Sequence, residues 1–338
     1  MSVRRGGALA LATILAAGVC PALRNTAAAP IEFGVQIAPE KVSYDDVVVT
    51  WQLIEDLGYD NVWLNDHFMP IMGDRSASHF ETWTLLAALA TQTERIRIGV
   101  LVSGNTYRHP AVLAKMATTI DHVSGGRLSF GIGAGWEEVE HRAYGIPFYT
   151  AEERAARLAE ALEVITRLWN VDHPTWKGKY YELVDAPFDP KPLQQPHPPI
   201  VIGGQGKRFI MPIVARYADE WNVPPGITPD GVRERLTIVR RKCRRLQRSP
   251  CVPNVSVFLP LVNVTNVPLA GPLTRFGARF VVGKQVASSL LAGSPREIRR
   301  RIQEYVDAGA TRVIITTRPA LNRRLMRRFA HEVMPAFR

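Results

Sequence analysis

Residues 126–136 read GRLSFGIGAGW, and the fold prediction starts from this stretch. Its first half is short, apolar and compatible with a β-strand, and glycines occupy positions 131, 133 and 135, where the strand should end. Glycine has no Cβ, so this run lets the backbone approach a flat or phosphorylated ligand closely. A dinucleotide-binding G-x-G-x-x-G motif is excluded, because Trp136 replaces its last glycine and no helical pattern begins directly after it. The alternative is a glycine-rich strand end that binds nothing.

Strand-like and helix-like segments alternate on both sides of this stretch. Capping residues such as Ser43 and Ser294 begin several of the helices, and residues 150–153 have the sequence of a capping box. Eight strands alternating with helices predict an α/β fold, a single (β/α)8 TIM barrel, with an aromatic- and proline-rich insertion at 172–199 before the fifth strand. A doubly wound sheet is the alternative, but the glycine turns that it needs are missing. The predicted strands are residues 31–37, 61–64, 96–102, 127–132, 200–204, 220–223, 255–262 and 312–317.

The first 30 residues differ in character from the predicted barrel domain at 31–338. Arg4 and Arg5 precede an apolar run at 6–20, and small residues follow, which is typical of a signal peptide and permits twin-Arg export. The alternative is a leader-like or disordered extension without a function. The apolar run is shorter than the ~20 residues of a transmembrane helix, so no stable membrane insertion is expected. A cytoplasmic protein is the first expectation, and export through residues 1–30 is the alternative.

The chain is basic, with 42 Lys and Arg against 31 Asp and Glu and a net charge of +11. Such a charge suits an anionic partner: nucleic acid, a membrane surface, or an anionic substrate or cofactor. Nucleic acid is not expected, because apolar residues at helical spacing within the arginine-rich stretch 233–248 predict an outer barrel helix with its arginines in solvent. The cysteines Cys20, Cys243 and Cys251 are odd in number and lack C-x-x-C spacing. This argues against a disulfide framework and a structural zinc site, and favours a reducing compartment.

The active site of such a barrel lies at the carboxyl ends of its strands, so four strand ends should become neighbours in space. Asp66 and His67 follow the second strand and form the candidate catalytic pair, since a histidine titrates near neutral pH and can exchange a proton with a substrate. The alternative is a hydrogen-bonded histidine without a catalytic role. The candidate ligand-binding residues at the third, fourth and fifth strand ends are Leu101, Val102 and Ser103, then Gly133, Ala134, Gly135 and Trp136, and finally Gly203, Gly204, Gln205 and Gly206.

The last of these groups leads straight into a helix. Backbone N–H groups freed by glycines at a helix N-terminus bind phosphate well, and a purely structural turn is the alternative. His109 precedes Pro110 at another helix start, where capping or packing is favoured over catalysis. The sequence has no H-E-x-x-H motif, Asp/Glu/His cluster or G-x-S-x-G motif, so neither metal-dependent hydrolysis nor serine hydrolase chemistry is expected.

Seven motifs occur in the order in which one family carries them, and they cover residues 31 to about 337. With them the chain resembles the luciferase-like monooxygenase superfamily, especially its actinobacterial branch that depends on coenzyme F420, a deazaflavin. The motifs are W-x-N-D-H-F at 63–68, T-Y-R-H-P at 106–110, S-G-G-R-L-S-F-G-I-G-A-G-W at 124–136, P-H-P-P-I-V-I-G-G at 196–204, A-R-Y-A-D-E-W-N at 215–222, G-S-P-R-E-I at 293–298 and D-A-G-A at 307–310.

The resemblance implies that the deazaflavin lies across the carboxyl end of the barrel, with Asp66 and His67 near its reactive ring. The bond between Leu101 and Val102 matches the place where this family has a cis peptide bond that does not involve proline. Residues 133–136 would contact the ring or the ribityl chain, and the turn at 203–206 would hold the phosphate. The acidic oligoglutamate tail of the coenzyme gives the basic surface a use, and a homodimer is the assembly usual in the family.

Two departures from the family pattern bear on the substrate. In the sugar-phosphate dehydrogenase branch a glutamate follows the glycine motif as proton donor, whereas this chain has Trp136, which argues against a sugar phosphate and leaves His67 as the acid or base. Residues 262–286 are unusual for the family. We therefore expect an F420-dependent oxidoreductase that moves a hydride to or from a small organic substrate. The alternatives are an FMN-dependent two-component monooxygenase, and a barrel that binds its cofactor without catalysis.

Overall fold

The computed structural model of this chain describes residues 30–249, 253–317 and 321–338, so the interpretation of residues 1–29 as a signal peptide lies outside the described residues. Its strands are β1 (Glu32–Ile37), β2 (Asn61–Leu64), β3 (Arg97–Val100), β4 (Ser103–Gly104), β5 (Leu128–Gly133), β6 (Trp176–Lys177), β7 (Glu182–Leu183), β8 (Ile200–Gly203), β9 (Glu220–Val223), β10 (Asn254–Leu261) and β11 (Arg312–Thr317).

Eight of these strands form a closed parallel barrel, which confirms the predicted fold class. Strands β1, β2, β3, β5, β8, β9, β10 and β11 follow one another round the barrel in chain order, and the pairing of β3 with β5 closes it. All eight predicted strands are present, and β2, β9 and β11 have the predicted bounds. The two-residue β4 continues beyond β3 and pairs with β5, whereas β6 and β7 form an antiparallel pair inside the predicted insertion.

Helices connect the strands and surround the barrel. Ser43 caps the first of them, as predicted, and Ser294 and Glu297 form a capping box in both directions. Thr150 accepts the N–H of Glu153 at 3.2 Å, which is one half of the box expected there. The helices are α1 (Tyr44–Asp56), α2 (Thr82–Leu89), α3 (Pro110–Val123), α4 (Glu138–Ala143), α5 (Ala151–Asn170), α6 (Ile210–Tyr217), α7 (Pro229–Arg245), α8 (Ala270–Ala278), α9 (Gly283–Ala287), α10 (Pro295–Val306) and α11 (Arg323–Glu332), and a 3-10 turn, Met334–Phe337, follows.

The core has two parts, because successive side chains of a strand face opposite sides of the sheet. On β2, Val62 and Leu64 belong to the large core between the strands and the surrounding helices. Trp63, between them, belongs to a second cluster that fills the barrel. The barrel is therefore a packed core, and ligands are confined to its ends. The other members of this inner cluster are Leu101, Val201 and Ile314, with Val102 and Phe258 packed against them.

Helix α7 packs as its apolar spacing predicts, with Val232, Leu236, Val239 and Cys243 buried and its arginines other than Arg235 exposed. Cys243 is disulfide-bonded, so the absence of disulfides that the cysteine count favoured does not hold for this residue. The physical reason is that the number and spacing of cysteines do not determine which of them the fold brings together. Of the helices in the described ranges, none is both long and apolar enough to cross a membrane.

Candidate active site

Four strand ends form one continuous arc at the carboxyl end of the barrel. Strands β2, β3, β5 and β8 are successive neighbours and run parallel, so their ends lie side by side. The four groups of residues predicted from the sequence follow these strands, and the fold therefore gathers them as expected. The arc also holds a network of buried polar side chains around Asp66 and His67.

His67 comes shortly after β2 and is 8% exposed. Its Nδ1 lies 2.9 Å from Oε2 of Glu140, a fully buried residue of α4. An ionised carboxylate only accepts hydrogen bonds, so the histidine donates its Nδ1–H, and Nε2 is the nitrogen left to accept a proton. The indole of Trp136 meets the imidazole edge to face, with 5.8 Å between ring centroids. The ring is thus held in one tautomer and one orientation.

Three donors converge on Glu140. Besides His67, the backbone N–H of Phe68 and the hydroxyl of Tyr107 donate to its carboxylate. Burial alone would raise the pKa of Glu140, but the hydrogen bonds, and the charge of His67, outweigh burial and hold this pKa below its ordinary value of 4.5. Burial and the bond to the carboxylate raise the pKa of Tyr107. At neutral pH the glutamate is therefore ionised and the tyrosine protonated.

Asp66 pairs with residues other than His67. Its carboxylate accepts a hydrogen bond from Oγ of Ser103 at 2.8 Å and two from the guanidinium of Arg108, at 2.7 and 3.0 Å. Asp66 and His67 thus have separate partners in the structure, and the expectation that they act together as an acid/base pair stays a prediction. Asp66 anchors Arg108 through a bidentate ion pair, and Glu140 is the carboxylate partner of the histidine.

The hydroxyl of Ser103 is engaged within the protein on both sides. It donates to Asp66 and accepts the indole N–H of Trp83 at 2.6 Å. Arg108 is likewise held by two partners, because it pairs with Glu81, the N-cap of α2, as well as with Asp66. These contacts fix the loop after β4 to the start of α2, so this wall of the site is rigid.

The peptide bond between Leu101 and Val102 is cis, as the resemblance implied, and the amide of Gln36 donates to the Leu101 carbonyl at 2.5 Å. The side chain of Val102 lies against the ends of β5 and β8. A Cβ on Gly133 would stand 2.9 Å from its Cγ2, and a Cβ on Gly203 would stand 2.7 Å from it. Both glycines are therefore required by the packing of Val102, which forms an apolar floor at this end of the barrel.

The chain turns away from β5 at Gly135, whose φ of +77° lies in the left-handed region that favours glycine. Arg154 donates its Nε–H to the Gly135 carbonyl at 3.1 Å and fixes the turn to α5. Ala134 is half-buried, whereas Trp136 is 60% exposed. The turn thus places a largely exposed indole next to His67.

The turn after β8 leads into α6 without a side-chain cap. Gly203 ends the strand, and Gly204 has a φ of +134° that residues with a side chain rarely adopt. Gln205 is exposed and Gly206 half-buried, and the Gly206 carbonyl accepts the N–H of Ile210 at the start of the helix. No side chain caps α6, and the N–H of Met211 also donates to the Gly206 carbonyl, so the turn at 203–206 closes directly onto the start of this helix.

Two buried amide oxygens near this end of the barrel have no hydrogen-bond partner in the part of the chain that the structure describes: Oδ1 of Asn65 and Oδ1 of Asn105. Leaving a buried acceptor unpaired costs about 1–3 kcal/mol. A ligand that carries N–H or O–H donors would satisfy both oxygens. A cavity of about 240 Å³ lined by Asn105, Tyr107 and Tyr181 gives such a ligand room. These unpaired acceptors fit a ligand that carries hydroxyl and N–H groups.

Glu140, Tyr107 and Arg108 were not among the residues predicted from the sequence. Tyr107 and Arg108 lie in the T-Y-R-H-P motif, but that motif does not show where their side chains point. Glu140 belongs to a six-residue helix whose N-cap, Glu137, makes no side-chain capping bond, so the sequence carries no helix-start signal there. The available signal was the group of glutamates at 137, 138 and 140, directly after the glycine turn.

Comparison with known proteins identifies a family and individual proteins to which this chain is similar. The profile of the luciferase-like monooxygenase family matches residues 26–263. An F420-dependent glucose-6-phosphate dehydrogenase of Amycolatopsis mediterranei (strain U-32) is similar, at 27% identity over 91% of this chain and 99% of that protein. An FMNH2-dependent dimethylsulfone monooxygenase of Pseudomonas putida is 32% identical, but over 48% of this chain and 44% of that protein.

A solved structure is similar over nearly the whole chain. It is an F420-dependent secondary alcohol dehydrogenase in complex with an F420-acetone adduct, with a TM-score of 0.79 over 92% of this chain and 100% of that one. The sequence identity is 21%, so this likeness shows the fold alone.

Proposed function

The chain belongs to the luciferase-like monooxygenase family, and we propose that it is a coenzyme F420-dependent oxidoreductase. It moves a hydride between the deazaflavin and a small organic substrate, with His67 as general acid or base. The observation that carries the proposal is the buried pair of His67 and Glu140, which leaves Nε2 of the histidine available for proton transfer beside Trp136. Similarity to an F420-dependent dehydrogenase over 91% of the chain supports the choice of coenzyme.

The residues at the barrel end fit this coenzyme. Val102 offers an apolar surface to the ring, and Asn65 and Asn105 have unpaired acceptors for its N–H and hydroxyl groups. Residues 133–136 would border the ring or its ribityl chain, and the glycine turn at 203–206 would hold the phosphate. When bound, the coenzyme supplies the carbon that accepts or donates the hydride.

His67 performs the proton transfer that accompanies the hydride. With Nδ1–H donated to Glu140, Nε2 accepts the hydroxyl proton of an alcohol as its carbon loses a hydride, and returns a proton to the oxygen of a carbonyl in the reverse direction. The ionised Glu140 stabilises the imidazolium that forms, because an opposite charge in contact favours the protonated histidine. General acid/base catalysis of this kind contributes about 10²- to 10⁴-fold to the rate.

Trp136 bears on the class of substrate. Its indole occupies the position after the glycine motif and stands edge to face with His67. An apolar ring there shields the reacting group from water, and it supplies no second acid. We infer that the substrate is an alcohol or a carbonyl compound whose proton is handled by the histidine alone, and that it is not a sugar phosphate.

The assembly and the location of the protein are separate proposals. A homodimer is proposed from the family resemblance, and sedimentation analysis of the purified protein tests it. A cytoplasmic location is proposed first. Export is the alternative, supported by Arg4, Arg5 and the apolar run that follows them, and cell fractionation with N-terminal sequencing of the mature chain decides between the two.

Titration of the purified protein with F420 and with FMN tests the coenzyme. We expect binding of F420, and binding of FMN that is weaker by at least about tenfold, because similarity to an F420-dependent protein extends over 91% of the chain and similarity to the FMNH2-dependent one over 48%. Asn105→Ala should weaken F420 binding by about tenfold, the cost of one lost hydrogen bond. The matched control is Asn170→Ala, at the exposed end of α5, which should leave it unchanged. Binding of FMN with none of F420 would overturn the proposal.

A further inference from the structure

Helix α8 and the residues after it present an apolar surface to solvent. Leu269, Leu273, Phe276 and Phe280 follow one another at spacings of four, three and four residues, so they lie on one side of this helical segment. Between 57% and 80% of each side chain is exposed, and Val281 is 80% exposed as well. A face with this spacing is normally buried. The family profile ends at residue 263, so this surface belongs to the part of the chain outside the match.

The same surface is basic. Between Arg248 and Glu297 the chain has four Lys and Arg, which are Arg275, Arg279, Lys284 and Arg296, and no Asp or Glu. A groove of about 660 Å³ separates α8 from α10, and Arg275 and Arg279 line it together with Arg300. Its two glutamates are already engaged, since Glu297 caps α10 and Glu304 pairs with Arg301. We call the exposed apolar residues Leu269, Leu273, Phe276, Phe280 and Val281, with Arg275, Arg279 and Arg300, the α8 surface.

We propose that the α8 surface docks the protein on an anionic lipid membrane. Exposed apolar side chains flanked by arginines match the two layers of such a surface, the acyl boundary and the charged headgroups. Phe280 and Val281, the most exposed of the set, would enter the acyl boundary, while Arg275 and Arg279 meet the headgroups. The protein would lie on the membrane, because none of the described helices can cross it.

A second copy of the chain is a poorer occupant. In a two-fold dimer the same surface would meet itself, and the arginines of both copies would be brought together. With no acidic residue in the segment to pair with them, the contact would be repulsive. The position of the surface also suits a membrane-facing role, since α8 follows the carboxyl end of β10 and therefore lies at the same end of the barrel as His67.

Flotation of the full-length protein with lipid vesicles tests the proposal. Vesicles of phosphatidylcholine alone are compared with vesicles that also contain phosphatidylglycerol. We expect the protein to float with the second kind alone, and less so at high salt. Phe280→Ser/Val281→Ser should reduce binding by at least about tenfold through loss of apolar burial. Arg275→Gln/Arg279→Gln should reduce it by about 25-fold, or about fivefold for each charge.

The control is Arg244→Gln/Arg245→Gln, on the exposed side of α7, which removes the same charge away from the α8 surface. It should float like the unchanged protein, and all variants carry the same N-terminal residues. Phe280 and Val281 are so exposed that their replacement leaves the fold intact, which circular dichroism checks. The proposal would be overturned if the two arginine double variants lost vesicle binding equally. It would also be overturned if the protein floated with vesicles of pure phosphatidylcholine, or with neither kind of vesicle. A dimer that Phe280→Ser/Val281→Ser dissociates, without vesicle binding, would assign the surface to a second copy instead.

Discussion

The hydrogen bond from Nδ1 of His67 to Glu140 determines what the histidine can do. The carboxylate is fully buried and ionised, so it orients the ring, fixes the tautomer and stabilises the protonated form. The hydroxyl of Tyr107 and the backbone N–H of Phe68 donate two more hydrogen bonds to this carboxylate. A buried charge with these partners is stable only as a set, since the loss of one partner leaves another without compensation.

His67→Asn removes the nitrogen that exchanges the proton and retains an amide N–H that can reach Glu140. We expect turnover to fall by about 10²- to 10⁴-fold, the usual contribution of a general acid or base, with the dissociation constant for F420 changed by less than about threefold. Steady-state kinetics and cofactor titration measure the two effects. The control is His122→Asn, in the last turn of α3, which should leave both unchanged. An unchanged kcat in His67→Asn would remove the role assigned to this histidine.

Glu140→Gln keeps the size of the side chain and removes its charge. As a positioning residue, Glu140 should affect kcat more than KM, and we expect kcat to fall by about 10- to 100-fold because the imidazolium loses its counter-charge. F420 binding should persist, which separates loss of positioning from loss of fold. A fall in F420 affinity equal to the fall in kcat would show that the residue serves only the structure.

Glu140→Gln should also change how the free energy of unfolding depends on pH. The folded-state pKa of Glu140 is below 4.5, so its contribution to stability is complete above pH 4.5 and is lost as the pH falls through the lower folded value. The unchanged protein should therefore lose more unfolding free energy than Glu140→Gln when urea denaturation is moved from neutral pH to below pH 4.5. Equal losses in the two proteins would show that the carboxylate is not held ionised by its partners.

At the scale of the elements, the ends of β5 and β8 are built around one side chain. Val102 occupies the space that a Cβ on Gly133 or Gly203 would need. Glycines in this part of the chain suggested room for a ligand, but two of them instead make room for the protein itself. A ligand bound at this end of the barrel would then meet Val102 rather than bare glycine backbone.

Gly203→Ala tests this packing. The new methyl group would stand 2.7 Å from Cγ2 of Val102, and overpacking of this kind costs about 1–3 kcal/mol. Val102→Ala in the same chain should restore part of the loss, since it removes the atom that clashes. Gly277→Ala is the control, because no atom lies within 4 Å of its Cβ position, and alanine in a helix should stabilise by about 0.5–1 kcal/mol. Chemical denaturation measures these proteins and Val102→Ala alone, and additive losses in the double variant would contradict the clash.

Elements with a local signal were predictable, and those without one were not. Ser43 and Ser294 cap α1 and α10 as their sequences indicate, and β9 has its predicted bounds. The N-cap of α4, Glu137, makes no side-chain capping bond, and neither does the N-cap of α8, Leu269, which is in the left-handed conformation. These helices are stabilised by tertiary contacts, which neither spacing nor capping residues reveal.

For the whole molecule, the order of strands was enough to predict where the site lies. Parallel closure puts the ends of β2, β3, β5 and β8 together, and the predicted residues follow these four strands. The partner of His67 was beyond such reasoning, because Glu140 lies 73 positions away on an unpredicted helix. Asp66 was assigned to the histidine by proximity in sequence, yet its carboxylate pairs with Arg108 in the structure.

An oxygen-free assay of hydride transfer tests the central claim most directly. In one direction, the protein is mixed with oxidised F420 and with each member of a panel of alcohols in turn. In the other direction, it is mixed with reduced F420 and with each member of a panel of aldehydes and enones. The visible absorbance of the deazaflavin is followed in both. The account predicts that at least one compound changes the oxidation state of F420 without oxygen, and that His67→Asn abolishes the change. An absorbance that stays constant with every compound, while reduced FMN and oxygen together convert a panel member, would contradict it.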